Sequence, residues 1–385
     1  MGNLKQERPE KVVFFYENAG DGNDAVAVAI RELCSGLVAA GVDAETAFPT
    51  SRRRNSASAK VKLLFQVIYL LRAAQVLFRR SRRQRVVITL DVPTGLRSLA
   101  NLASSTGIFR ITHVSWVMDL YRFTDDGDAS HAGLITRLQK MLDQVGLAHS
   151  PHTVVLGQCM RDFLKSLGGV EPAVIPIWQD PEKFPKILDT DLVALRRRLS
   201  LEGKFVVLYS GSARTMHPLQ GLVDAARLLR DATDIVFLIV GRGSEIDGVR
   251  RHVKDLGLEN TRVMDFRPAD EVPLFAALAD LHVVSLSPDA TGTCVPSKAY
   301  SAMAAERPLL YLGSDDAQVA LDVIESQSGV VVQPNDSAAI AKFVVGLAKN
   351  PQTGKLMGAK ARAYFLQNRA LQNGVLSWRN LIQSL

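Results

Sequence analysis

Short apolar runs recur along the chain. Most are followed by a small-residue turn and then by a stretch whose apolar positions repeat at helical spacing. KVVFFYE (11–17), the turn NAGDGND and AVAVAIRELCSGLVAAG, closing at Gly41, predict a strand, a turn and a helix ended by glycine. VVITL (86–90), ITHVSWVM (111–118), HTVVLG (152–157) and AVIPI (173–177) read as further strands, with helical patterns between several of them. This half predicts a doubly wound α/β domain. PIWQDPEKFPKI (176–187), with three prolines, mixed charge and no sustained period, reads as a linker.

The cycle then restarts. Strands KFVVLYSGS (204–212), DIVFLIVG (234–241), RVMDF (262–266), LHVVSLS (281–287), PLLYLG (308–313) and GVVVQP (329–334) are expected, with helices LQGLVDAARLLRD, EIDGVRRHVKDLG, ADEVPLFAALAD and PSKAYSAMAA between them. Such alternation predicts a second, more regular Rossmann-like domain, and the last residues, ALQNGVLSWRNLIQSL, predict an amphipathic helix. The domains are expected over 1–180 and 190–367.

Composition narrows the class. At 385 residues the chain exceeds the size at which one core keeps growing, and 47% apolar with 22% charged residues is ordinary for a globular protein. The polar start MGNLKQERPE and the lack of any run of ~18 uncharged apolar residues predict a cytoplasmic protein. Cys34, Cys159 and Cys294 lie too far apart for a disulfide framework or a zinc site. Net charge is +7, and its excess is confined to residues 1–200, which hold 27 Lys and Arg against 20 Asp and Glu. Between Glu45 and Asp91 there are eleven basic residues and no acidic one. Residues 52–85 therefore read as a basic amphipathic helix for an anionic membrane surface, possible alternatives being a buried helix with snorkelling arginines or a nucleic-acid patch without a recognised motif.

In open α/β sheets ligands bind beyond the carboxyl ends of the strands. Four segments of the second half stand there. SGSARTMHP (210–218) offers Gly211 and Ser212 for close backbone approach and Arg214 for a phosphate, against the plain reading of a strand-to-helix turn. GRGSE (241–245) is a partial dinucleotide fingerprint and a weak one. Arg267, after RVMDF, marks where a base would rest. PDATGTCVPSKAYSAMAAERP (288–308) places Gly292 and Thr293 before a helix start and Lys298 in its first turn, as a solvated charge or as the cation that meets a phosphate. In the first half Asp119 ends a strand as a substrate-orienting carboxylate or a helix cap, His113 reads as a core histidine, and NAGDGND borders the site.

WVMDLY, TVVLGQCM, VIPIWQDPEKF, YSGSARTMHPLQGL, DIVFLIVGRG, HVVSLSPDATGTCVPSKAY and AMAAERPLL, in that order, resemble retaining glycosyltransferases of family 4 with the GT-B fold, most closely the branch that builds bacterial surface polysaccharides. The resemblance implies two Rossmann-like doubly wound domains facing each other across a cleft, with a C-terminal helix (368–385) crossing back to the first. It implies metal-independent transfer, with retention, from a UDP- or GDP-sugar to a saccharide or lipid-linked saccharide acceptor, with no cofactor and no nucleic-acid partner. Lys298, Arg214 and Asp119 would be catalytic; Gly211, Ser212, Arg267, Gly292, Thr293, Ser297 and Ser301 would hold the donor; Gly20, Gly22 and Asn23 would lie on the acceptor side. The sequence departs from the family at particular positions. The paired glutamates fall on Thr293 and Ser301, the usual glycine before the lysine or arginine and proline is Glu306, the first-loop arginine aligns nearer Thr215, and the proline after WVMDLY is Arg122. Those departures admit a non-catalytic nucleotide- or glycan-binding partner, or a nucleotide-sugar epimerase of the same fold, as alternatives.

Overall fold

A computed structural model describes residues 11–16, 25–47, 59–90, 95–120, 134–168 and 171–385. The chain forms two compact units, one running to Ile177 and including Gly292–Cys294 and Leu371–Leu385, the other made of Trp178–Thr291 and Val295–Ala370. The expected linker region contains a 3-10 turn at Pro181–Lys183, capped by Asp180, and buries Trp178 and Phe184.

The first unit holds strands β1 (Lys11–Phe15), β2 (Ala44–Ala47), β3 (Arg85–Thr89), β4 (Ile111–Trp116), β5 (His152–Val155) and β6 (Ala173–Val174), with helices α1 (Ala25–Ala39), α2 (Ala59–Leu77), α3 (Leu96–Ser105), α4 (Leu134–Ala148) and α5 (Gln158–Ser166). All strand pairs are parallel, in the order β2-β1-β3-β4-β5-β6. That order reverses between β1 and β3, which is where doubly wound sheets bind ligands. The turn after β1, with Gly20, Gly22 and Asn23, lies outside the described residues. Strand β2 was not legible as a strand in AETA, because at a sheet edge only Ala47 is buried and no apolar run is needed.

His113 is fully buried in β4, between Thr89 Oγ1 (2.8 Å from Nε2) and Asn101 Oδ1 (2.5 Å from Nδ1). Burial, with the charge of Arg97, pushes it down to about 3. It is a neutral core residue. Cys34 and Cys294 are buried and Cys159 half-buried, and none of the three is in a disulfide.

The second unit carries β7 (Phe205–Ser212), β8 (Ile235–Arg242), β9 (Thr261–Asp265), β10 (Leu281–Ser285), β11 (Leu309–Leu312) and β12 (Gly329–Val332), with α6 (Asp189–Arg198), α7 (Gln220–Leu228), α8 (Ser244–Asp255), α9 (Val272–Leu278), α10 (Lys298–Ala304), α11 (Gln318–Ser326), α12 (Ser337–Lys349) and α13 (Pro351–Asn368). Its parallel sheet runs β12-β11-β10-β7-β8-β9, the Rossmann order, with the reversal between β7 and β10. Successive residues feed opposite faces. Val207, Tyr209, Phe237 and Ile239 enter one core, while Val206, Leu208, Val236 and Leu238 enter the other. A sheet covered on both sides needs apolar residues at every position, which is why these strands read as unbroken apolar runs. The helices α12 and α13 went unread, although their start signals stand in the sequence: Asp336 accepts from the Ala339 amide and Asn350 from that of Thr353, ahead of Pro351.

Residue 306 stands where the backbone favours glycine. Glu306 adopts φ +59°, the left-handed region that costs a side chain roughly 1–2 kcal/mol. The last helix, α14 (Leu371–Ser384), belongs to the first unit. Its Trp378 is fully buried and stands 4.9 Å from Trp116 and 6.3 Å from Phe14, ring centre to ring centre. Gly36 admits the close approach of α14 to α1, since a Cβ there would lie 2.4 Å from Val375 Cγ2.

Candidate functional site

The carboxyl ends of β7 and β10, where the second sheet reverses, bring the predicted lysine and the glycine turn together. Lys298, the first residue of α10, donates from Nζ to Tyr209 Oη (2.6 Å) and to the Ser212 carbonyl (3.1 Å), and its ammonium lies 4.5 Å from the Tyr209 ring centre. Such a held cation loses less entropy on meeting an anion than a solvated lysine would. A seven-residue helix has a small terminal dipole, so the fixed positive charge here is mainly the lysine itself.

Two glycines shape the backbone beside that side chain, one by its positive φ and one by close strand packing. Gly211 has φ +134°, and a Cβ on it would touch Lys298 Cε and Nζ at 3.6 and 3.7 Å. Gly241 pairs with it in register across to β8, where a Cβ would sit 2.0 Å from the Gly211 carbonyl oxygen. The glycines of GRGSE therefore serve close strand-to-strand and turn packing rather than a dinucleotide.

One pocket is lined by Ser210, Gly211, Lys298 and Ser301 together with Phe266, Arg267 and Val272. Phe266 is 45% exposed and lies under the Arg242 guanidinium, 4.5 Å from ring centre to Cζ. Arg267 is half-buried, donating to the Asp265 carbonyl and pairing with Glu271 at 3.7 Å. His282, in the same lining, is buried against the Ala276 carbonyl at 2.9 Å, and burial pushes it down to about 4.

The other expected residues are placed as follows. Arg214 is exposed on the loop after β7, and its carbonyl accepts from the His217 amide. Ser212 is exposed and contributes its carbonyl to Lys298. Ser297 is half-buried and precedes α10 without a capping hydrogen bond from its side chain. Gly292, with φ +82°, and Thr293, 1% exposed, group with the first unit: the Thr293 carbonyl accepts from the Leu120 amide at 2.6 Å, and Cys294 bridges to Asp119 through the backbone. Asp119 is exposed at the end of β4.

Tyr209 and His217 belong to this region and were passed over in the sequence, one because it sits inside an apolar strand run, the other because a single histidine in a turn carries no pattern. Burial pushes the Tyr209 phenol well above its ordinary range, so it stays a neutral acceptor for the lysine.

Helix α2 has two faces. Tyr69, Ala73 and Leu77 are buried in the core of the first unit, whereas Leu64, Val67, Ile68 and Leu71 are exposed, as are Arg72, Arg79, Arg80, Arg82 and Arg83 on the helix and after it. Arg85 is not one of this surface set, because its guanidinium donates to the carbonyls of Val76, Arg79 and Phe109.

Residues 194–364 match the family Glycosyl transferases group 1. The chain is 26% identical over 228 residues to WcaI of Escherichia coli K12, named for glycosyl transfer in colanic acid biosynthesis, a match over 58% of this chain and 55% of that protein. It thus spans about half the length of that relative. It is 22% identical over 361 residues to WbjE of Pseudomonas aeruginosa, named as a glycosyltransferase, with 89% and 82% of the two chains covered. Anabaena HepE, solved in complex with UDP-glucose, superposes with a TM-score of 0.69 over 97% of this chain and all of that one, at 18% identity. The chain therefore has the α/β GT-B fold of these glycosyltransferases and, over 194–364, the sequence pattern of glycosyl transferases group 1.

Proposed function

We propose that the chain transfers a sugar, with retention and without a metal ion, from a UDP- or GDP-linked donor to a saccharide or lipid-linked saccharide acceptor in the making of a surface glycan. The observation that carries this reading is the Lys298 ammonium, held by Tyr209 and Ser212 beside Gly211 at the reversal of the second sheet. As the bond from the anomeric carbon to the donor phosphate breaks, its electron pair goes to the phosphate oxygen. Fixed cations stabilise that growing charge more than they stabilise the ground state. In this reading Lys298 and Arg214 meet the diphosphate, Phe266 and Arg267 border the base, and Ser301 reaches the ribose. WcaI, named for glycosyl transfer in colanic acid biosynthesis, and HepE, solved in complex with UDP-glucose, support it.

The test is a thermal-shift panel of UDP, GDP and ADP with their sugars, followed by turnover assays with membrane extract as acceptor source. Stabilisation by one nucleotide class with sugar release or transfer is the expected result. A second reading, a binding partner without turnover, is favoured by the hydroxyls Thr293 and Ser301 at the places of the family glutamates. Binding of a nucleotide sugar with no transfer or hydrolysis would establish that reading instead.

We also place the protein at the inner face of the plasma membrane. Among the described residues no helix is long and apolar enough to cross a membrane. Helix α2 instead exposes leucines, a valine and an isoleucine, with exposed Arg72 on the helix and exposed Arg79, Arg80, Arg82 and Arg83 just after it, the composition of an interfacial segment. At about 1 kcal/mol for each arginine near an anionic surface, Arg79, Arg80, Arg82 and Arg83 together are worth far more than a tenfold change in binding. Replacing all four with glutamine is expected to reduce flotation with phosphatidylglycerol vesicles at least tenfold, while binding to neutral vesicles stays weak. Unchanged flotation would remove this placement.

A further inference from the structure

The loop after β7 contains a basic side chain that the lysine and arginine roles do not use. His217 stands in a turn closed by its own amide on the Arg214 carbonyl (2.7 Å), and the neighbouring Met216 carbonyl accepts from the Ser287 amide (2.8 Å), which ties the loop to the chain just beyond β10. The turn therefore sits at the sheet reversal, where Lys298 also ends. The His217 Nδ1 atom is buried and has no hydrogen-bond partner. Buried polar atoms in folded proteins are nearly always paired, so an orphan beside a cationic pocket needs an explanation.

We propose that His217 is the third basic group of the anion site, and that it becomes imidazolium when a nucleotide diphosphate ester lies against Lys298, so that donor binding takes up a proton. This rests on the nucleotide-sugar reading above. The charges around His217 are the Lys298 ammonium, from α10, and the Arg214 guanidinium, from its own loop. On the α8 side, the Glu245 carboxylate accepts from the Leu219 amide at 2.9 Å, and His252 bonds to Gln220 at 3.0 Å. Burial, together with the two cations, holds His217 down to about 4 in the unliganded protein. A pyrophosphate diester brings two permanent negative charges and reverses the balance, because an opposite charge within a few ångströms favours the charged imidazole. The sign follows. A group whose pKa rises on binding makes binding stronger as pH falls from above the liganded pKa toward the unliganded one, by up to tenfold per pH unit for one proton.

The experiment is calorimetric titration of the full chain with UDP-glucose, GDP-glucose and ADP-glucose in parallel, between pH 5.5 and 7.5, in buffers of low and high ionisation enthalpy. These esters do not themselves titrate in that range, so an observed proton belongs to the protein. Wild-type protein is expected to take up a substantial fraction of a proton with the nucleotide that binds, and to bind it several-fold more tightly per unit of falling pH. His217→Gln, which keeps a neutral donor but cannot ionise, is expected to bind with no uptake and a flat pH profile. Binding by the wild type with no buffer dependence overturns the proposal without any variant, and uptake that persists in His217→Gln also overturns it. Failure of all three esters to bind at any pH overturns the nucleotide-sugar reading and this one with it.

Discussion

Lys298→Met is expected to lower kcat/KM for sugar transfer by about 10²–10³, the loss that follows removal of one preorganised charge-stabilising group from an active site. Nucleotide affinity is expected to fall with it, because the ground-state diphosphate already carries two charges. The thermal midpoint of the unliganded protein should move little. The lysine gives up contacts to Tyr209 and Ser212, but methionine fills a similar volume along the same path past Gly211. Arginine at 298 is a poorer substitute than its charge suggests. Its planar fork does not reproduce a point-like ammonium over the Tyr209 ring. Turnover in Lys298→Met within threefold of wild type, by initial-rate kinetics, would show that this charge is not the one that meets the diphosphate.

Asp322→Ala is expected to destabilise the second unit by about 3–5 kcal/mol, the effect of leaving one partner of a buried ion pair uncompensated. Asp322 is 1% exposed and accepts five bonds: from Arg369 Nε and Nη2 (3.0 and 2.5 Å), Tyr300 Oη (2.8 Å), Gln318 Nε2 (2.9 Å) and Tyr364 Oη (3.0 Å). Its loss strands a buried guanidinium and the buried Tyr300 phenol at once, whereas Tyr364 keeps Glu325 at 3.1 Å, in a low-dielectric setting where water cannot replace the carboxylate. Urea unfolding followed by far-UV circular dichroism measures the change. The double replacement Asp322→Leu with Arg369→Leu is expected to cost less than Asp322→Ala alone, since it removes the orphan charge with its partner. Equal costs would mean that packing, not charge pairing, dominates there. The network also bears on the site, because Tyr300 stands two residues beyond Lys298 on α10 and faces away from the pocket, into α11.

The elements that were readable and those that were not differ by a physical rule. Strands β7 to β11 and helices α7 to α10 were expected close to where they stand, because strands buried on both faces must be apolar throughout and the helices between them must show one apolar stripe. The expected helix PSKAYSAMAA is shorter in the structure, beginning at Lys298 after Pro296 and Ser297. Strand β2 was invisible because an edge strand with one buried residue imposes no pattern. The linker was assigned from its prolines, yet Trp178 and Phe184 are buried within it, which local composition does not register.

Local sequence determined the two α/β halves, the strands with their carboxyl-end turns and the basic, apolar character of α2, since each follows from periodicity and residue type over a few neighbours. Only the tertiary structure decided which of those turns converge: that Lys298 rests on Tyr209 and Ser212, that His217 Nδ1 is buried without a partner, that Asp322 gathers donors from α10, α11 and the end of α13, and that Arg85 is bound to carbonyls while its neighbours are exposed. Most of these depend on residues far apart in the chain. Their energies depend on desolvation and on angstrom-scale distance, and neither quantity exists until the strands have taken their order in the sheet.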